Sequence, residues 1–133
     1  LRPGGRCFLS HHDFDSVVLA SSDRHLTRRL VHGFADHVQA WQDTSEGQMG
    51  RLLPGCLKGS QFREMTTRTL LFVDLDLDTN SYAQAYISWL ASLASEIGVT
   101  QSEISSWLSD LNERSQQGEF YFSIQWMYIV SDK

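Results

Sequence analysis

The stretch "GEFYFSIQWMYIVSDK", residues 118–133, decides the fold. From Phe120 to Val130 only Ser123 and Gln125 interrupt an apolar run. Near-continuous hydrophobicity over about ten residues marks a strand covered on both faces, and therefore a central one. This strand follows every other predicted element, so it must insert between strands made earlier. Ser123 and Gln125, buried within it, then need hydrogen-bond partners, from a structural network or from a substrate.

Working back towards the start, two helices precede that strand. In "NSYAQAYISWLASLASEIG", Tyr82, Tyr86, Trp89, Leu90, Leu93 and Ile97 recur at helical spacing, and Gly98 is placed to end the helix. "TQSE", residues 100–103, is a capping box, in which the Thr100 hydroxyl and Glu103 satisfy each other's backbone amides. Behind it Ile104, Trp107, Leu108 and Leu111 form one apolar face. Together these predict a helical hairpin over residues 81–116.

Further back, "REMTTRTLLFVDLDLD", residues 63–78, predicts a long strand whose second half alternates. Val73, Leu75 and Leu77 point one way, and Asp74, Asp76 and Asp78 the other, as a solvated face. "GRLLPGCLKGSQF", residues 50–62, predicts a helix of about two turns, weakened by Pro54 and Gly55. "QDTSEGQMG" has loop composition. Leu26, Leu30, Phe34 and Val38 make a stripe on a helix over 23–40. "RCFLSHH" predicts a strand over 6–12 that hands His11, His12, Asp13 and Asp15 to a loop. "LRPGG" ahead of it is a turn, with Gly4 and Gly5 free to take positive φ. With so little before it, the turn reads as a seam inside a larger domain.

The 133 residues amount to a single domain of α+β class with three strands and about four helices. Net charge is −5, and nine of eleven Lys and Arg precede residue 70 while nine of sixteen Asp and Glu follow it. Neither part is basic enough to neutralise a phosphate backbone, which excludes nucleic acid as a partner. No segment has the length of a membrane span or signal-peptide anatomy. Cys7 and Cys56 read as two buried free thiols, which fits a reducing cytoplasm.

"LRPGGRCFLSHHDFD", "GRLLPGCLKGSQF" and the closing "GEFYFSIQWMYIVSDK" together resemble the C-terminal half of a class I S-adenosylmethionine-dependent methyltransferase. In that family a Leu-basic-Pro-Gly-Gly turn leads into the fifth strand. A Gly-x-x-Phe-like step leads into the sixth; "GSQF" stands here where "AGF" is more usual. The antiparallel seventh strand lies between those two. The resemblance implies half of a Rossmann-like α/β domain: a three-stranded mixed sheet, its last strand central and antiparallel, with the hairpin 81–116 as lid or cap. The family's glycine-rich cofactor loop has no counterpart here, since no G-x-G-x-G-like run occurs. The resemblance therefore implies S-adenosylmethionine for an intact enzyme and no cofactor binding by this chain alone. It implies a methyltransferase if the chain belongs to a longer one, and no enzyme if it is complete.

By the same resemblance the loop after the fifth strand borders the active site. His11, His12, Asp13 and Asp15 would then line an acceptor pocket, roofed by Trp89, for a small-molecule acceptor. Histidine can serve there as a base, although a solvated loop explains the cluster more simply. Metal ligation is disfavoured because adjacent strand residues point to opposite faces. The "DLDLD" carboxylates read as a wet strand face. His25, His32 and His37 lack ligand spacing. No catalytic residue is assigned. The other reading is a stand-alone α+β binding or oligomerisation module. In that case the open apolar edge of "RCFLSHH" needs a cover, so a homo-oligomer is expected unless a missing N-terminal half supplies it.

Overall fold

In a computed structural model the protein is described over residues 2, 4–37, 47–60 and 62–132, the side chains of Arg63 and Glu64 excepted. The elements run β1 (Arg6–Leu19), α1 (Arg24–Asp36), α2 (Met49–Lys58), β2 (Arg63–Asp74), α3 (Tyr82–Leu93), α4 (Gln101–Gln117) and β3 (Phe122–Asp132). The sheet order is β1-β3-β2, so the last strand is the central one, as its unbroken hydrophobicity requires. Both of its pairings are antiparallel. The sheet is thus antiparallel throughout and not mixed: β1 and β2 run the same way but never touch, because β3 separates them.

Side-chain alternation along β3 divides the molecule into two layers. Phe122 and Ile124 point into the main core with Leu26, Leu30, Val31, Tyr86, Leu90, Trp107 and Leu111 from α1, α3 and α4. Ile129, of opposite parity, lies outside that cluster yet is fully buried. It belongs to the other face, where α2 packs on β1 and β3. The main core is pinned by a buried hydrogen bond from Trp107 Nε1 to Thr27 Oγ1 at 2.9 Å.

β1 departs most from expectation. It does not end at residue 12 but runs to Leu19, with a bulge between Asp13 and Val18. Asp13 lies opposite Gln125 and Val18 opposite Ser123, so residues 14–17 face Ile124 alone. Ser16 closes the gap: its hydroxyl donates to the Asp13 carbonyl and accepts the Gln125 N–H at 2.9 Å. The extra residues re-aim the chain. His11, His12, Asp13 and Asp15 therefore sit within a strand and not in a loop.

Other boundaries shift for local reasons. β2 ends at Asp74, not Asp78, because Asp74 turns to accept the Ala83 N–H of α3 at 2.8 Å. Asp78 accepts from Thr79 Oγ1, and its carbonyl accepts the Ser81 N–H. No wet carboxylate ladder extends along the strand. Helix α3 stops at Leu93, and the chain then turns through Gly98 at φ 72°. The capping box at Thr100 and Glu103 forms in full. Helix α2 is ten residues long and takes Met49 from the expected loop. Helix α1 ends at Asp36, and Val38 and residues 42–46 of that loop lie outside the described residues. In the opening turn Gly5 N–H donates to Arg2 O at 3.0 Å, and of the two glycines only Gly4 has positive φ.

One further expectation changes. Cys56 is exposed and Cys7 only half-buried, so these are not two buried thiols. Phe8 is 60% exposed, so the chain's own helices leave that part of the β1 edge uncovered. No helix among the described residues is long and apolar enough to cross a membrane.

Candidate functional site

Side-chain alternation along β1 splits the "HHDFD" cluster between two environments. His12 and Phe14 go to the aromatic core side, whereas Asp13 and Asp15 turn towards α2 and α1.

On the aromatic side, the His12 ring stacks on Tyr82 with centroids 4.9 Å apart and lies 5.2 Å from Trp126. Tyr82 meets Trp89 edge-on at 6.2 Å, and Trp89 stacks on Phe34 at 6.3 Å. Phe14 contacts Phe34 and Tyr86. Offset and edge-to-face pairs of this kind stabilise by about 0.5–1.5 kcal/mol each beyond area burial. Of these rings, Trp89 is 45% and Trp126 38% exposed, so the cluster opens to the surface beside Tyr82.

Burial, with His11 adding repulsion, lowers the His12 pKa and so disfavours the imidazolium. Tyr82 is pushed up to about 12 by burial. Tyr86 is raised further by burial, with Tyr82 and Asp15 adding to it. Among the described residues the Tyr86 hydroxyl is a buried group with no hydrogen-bond partner, a costly arrangement in an otherwise packed core. The His12 Nδ1 to Tyr82 Oη distance is 3.5 Å, at the limit of a hydrogen bond. His11 donates from Nδ1 to the His12 carbonyl at 2.7 Å, which fixes its own tautomer.

On the charged side, Asp13 is almost fully buried and receives a fork from Arg51, Nε to Oδ2 at 2.6 Å and Nη2 to Oδ1 at 2.8 Å. Arg51 Nη1 reaches Asp15 Oδ2 at 3.2 Å, and His32 Nδ1 reaches Asp15 Oδ1 at 2.9 Å. The Asp13 hydrogen bonds raise the Arg51 pKa against the opposing cost of burial. Gly50 makes the approach possible, since a Cβ there would stand 3.3 Å from the Asp13 backbone N and Cβ. These acids tie α2 and α1 to the strand.

Of the five residues singled out from the sequence, His12 and Trp89 meet through Tyr82. His11 flanks them, edge-on to Phe14, and Asp13 and Asp15 belong to the ion-pair network. Sequence reading missed Arg51, 38 residues from Asp13, because an ion pair across elements has no local signature. It also missed Phe34 and Trp126 as ring partners of this cluster; only their apolar character was visible. Among the described residues no group of three or more His, Cys, Asp or Glu is placed to hold a metal ion. Compared with models of known protein families and with curated proteins, the chain matches none.

Proposed function

We propose that this chain is the C-terminal part of a class I S-adenosylmethionine-dependent methyltransferase, contributing the acceptor pocket and its lid. The observation that carries the reading is the strand order β1-β3-β2, with the last strand antiparallel between two strands that run the same way. That is the order in which the resembled family arranges its fifth, seventh and sixth strands. On this reading the pocket is the opening beside Tyr82, walled by His12, Trp89 and Trp126, and α3 with α4 forms the lid. Aromatic walls favour a planar or apolar small-molecule acceptor. A neutral His12 is in the right protonation state to take a proton from it as the methyl group transfers. Alignment of acceptor and sulfonium would supply most of the rate.

The test compares two polypeptides, this chain and the product of its full coding sequence. Calorimetric titration with S-adenosylmethionine is expected to show binding only by the longer product, with methyl transfer to a small-molecule acceptor in a radiolabel assay. Micromolar binding by the 133-residue chain alone would overturn the division of labour. A coding sequence with no glycine-rich motif upstream of Leu1 would overturn the family reading.

A second reading, a stand-alone module that assembles with itself, is favoured by one observation. Both outer strands leave apolar side chains uncovered, Phe8 on β1 and Leu70, Leu71 and Val73 on β2. Sedimentation equilibrium separates the two, since a monomer at high micromolar concentration excludes the second.

A further inference from the structure

Away from the aromatic opening, α1 and the end of β1 enclose a cavity of about 270 Å³, lined by Val17, Val18, Leu19, Arg24, Thr27, Arg28, Val31 and His32. Its composition divides by position. Leu19, Thr27 and Val31 are buried and form the floor, with Val17 half-buried beside them. The Thr27 hydroxyl is already engaged, donating to the Asp23 carbonyl and accepting from Trp107. Arg24, Arg28 and His32 occupy one helical face at four-residue intervals. Val18 stands at the mouth, 56% exposed.

The arginines are unfavourably placed for the helix alone. Arg24 is the first residue of α1, a turn that contains no acidic side chain, so its charge opposes the helix dipole. Arg28 follows at the like-charge i,i+4 spacing, which is also destabilising. Arg29, the next residue, reaches Glu103 at 3.6 Å and the Gly98 carbonyl at 3.0 Å. Arg24 and Arg28 have no ion-pair or hydrogen-bond partner among the described residues. His32 Nδ1 is committed to Asp15 at 2.9 Å. Among the described residues no Asp or Glu lines the cavity, in a chain whose net charge is −5.

We propose that this cavity binds a small organic carboxylate with an apolar body. The carboxylate would sit between Arg24 and Arg28, accepting charge-assisted hydrogen bonds that the two guanidinium groups donate. The hydrocarbon would lie on Val17, Leu19 and Val31. The volume falls just below the usual range of small-molecule clefts, so the body is short. The inference stands apart from the methyltransferase reading, because the cavity shares no residue with the aromatic opening.

Calorimetric titration of the intact chain with octanoate tests it, with octanol and inorganic phosphate as comparison probes. Octanoate is expected to bind saturably with one site, and octanol at least about tenfold more weakly. The double variant R24Q/R28Q is expected to weaken octanoate at least about tenfold while melting no lower than wild type, since it removes two unfavourable charges. Val18→Glu, a surface change at the mouth, is expected to weaken octanoate similarly through repulsion. Absence of saturable octanoate binding overturns the proposal, as does equal affinity in R24Q/R28Q. Equal affinity for octanol or phosphate also overturns it, since the cavity would then not read both ends of the ligand.

Discussion

β1 and β2 flank the same strand, and their side chains end up in opposite places. On β1 the carboxylate Asp13 is 4% exposed, and Phe14 joins the aromatic core. On β2 the apolar Leu70 and Leu71 are 54% and 58% exposed. Hydrophobicity alone would rank these strands the other way. The difference lies in what docks on them: α1 and α2 both pack against β1, whereas β2 is held chiefly by β3. Burial follows the placement of helices, and a strand's own composition only makes burial favourable.

The contrast can be broken most forcefully at the two phenylalanines. Phe14→Ala should cost about 2–3 kcal/mol, because it empties a ring position packed against Phe34 and Tyr86. Phe72→Ala on β2, whose ring meets Tyr82 at the edge of the cluster, should cost less than half as much. Equal losses in urea denaturation would mean that β2 is covered in solution. Next in size, Arg51→Leu leaves the buried Asp13 carboxylate without its fork and should cost about 1–2 kcal/mol, reduced by the exposure of the guanidinium. An unchanged denaturation midpoint would show that water replaces the arginine.

A smaller effect is expected from pH. The folded state holds His12 below its ordinary pKa, so between the folded and unfolded values the unfolded chain binds more protons. The contribution is complete above about 6.5, the ordinary histidine value, and is lost as pH falls through the lowered one. His12→Gln should flatten the thermal midpoint between pH 7 and pH 5 relative to wild type, and an unaltered slope would remove His12 from the account. Smallest of all, Leu71→Thr should shift stability by no more than about 0.5 kcal/mol. A larger loss, disappearing on dilution, would mark β2 as an interface.

These differences also explain how far the sequence could be read. The central position of β3 was legible because its composition reports cover on both faces. The Thr100–Glu103 cap was legible because both partners lie within one turn. The bulge of β1 was not, since four residues facing one is a property of the pairing with β3 and leaves no trace in "HHDFDSVV". The carboxylates of "DLDLD" carried an alternation in sequence, but β2 ends at Asp74, whose side chain accepts from the Ala83 N–H of α3, and the sequence held no sign of that contact. Of the residues singled out for a site, His12 and Trp89 come together, through Tyr82. Which of "HHDFD" join the rings follows from alternation once β1 runs through them, whereas the tie of Asp13 to Arg51 is settled 38 residues along the chain.

The central place of β3 has a consequence in time. Arg6 is paired with Asp132, 126 positions later, and β1 and β2 have no ladder except through that strand. During synthesis the four described helices leave the ribosome before any hydrogen bond to β3 can form. Until then Phe8, Leu70, Leu71 and Phe72 lie on strands that lack their partner β3, the condition under which nascent chains aggregate. This molecule therefore has a long vulnerable interval, closed only when its last strand slides between the first two.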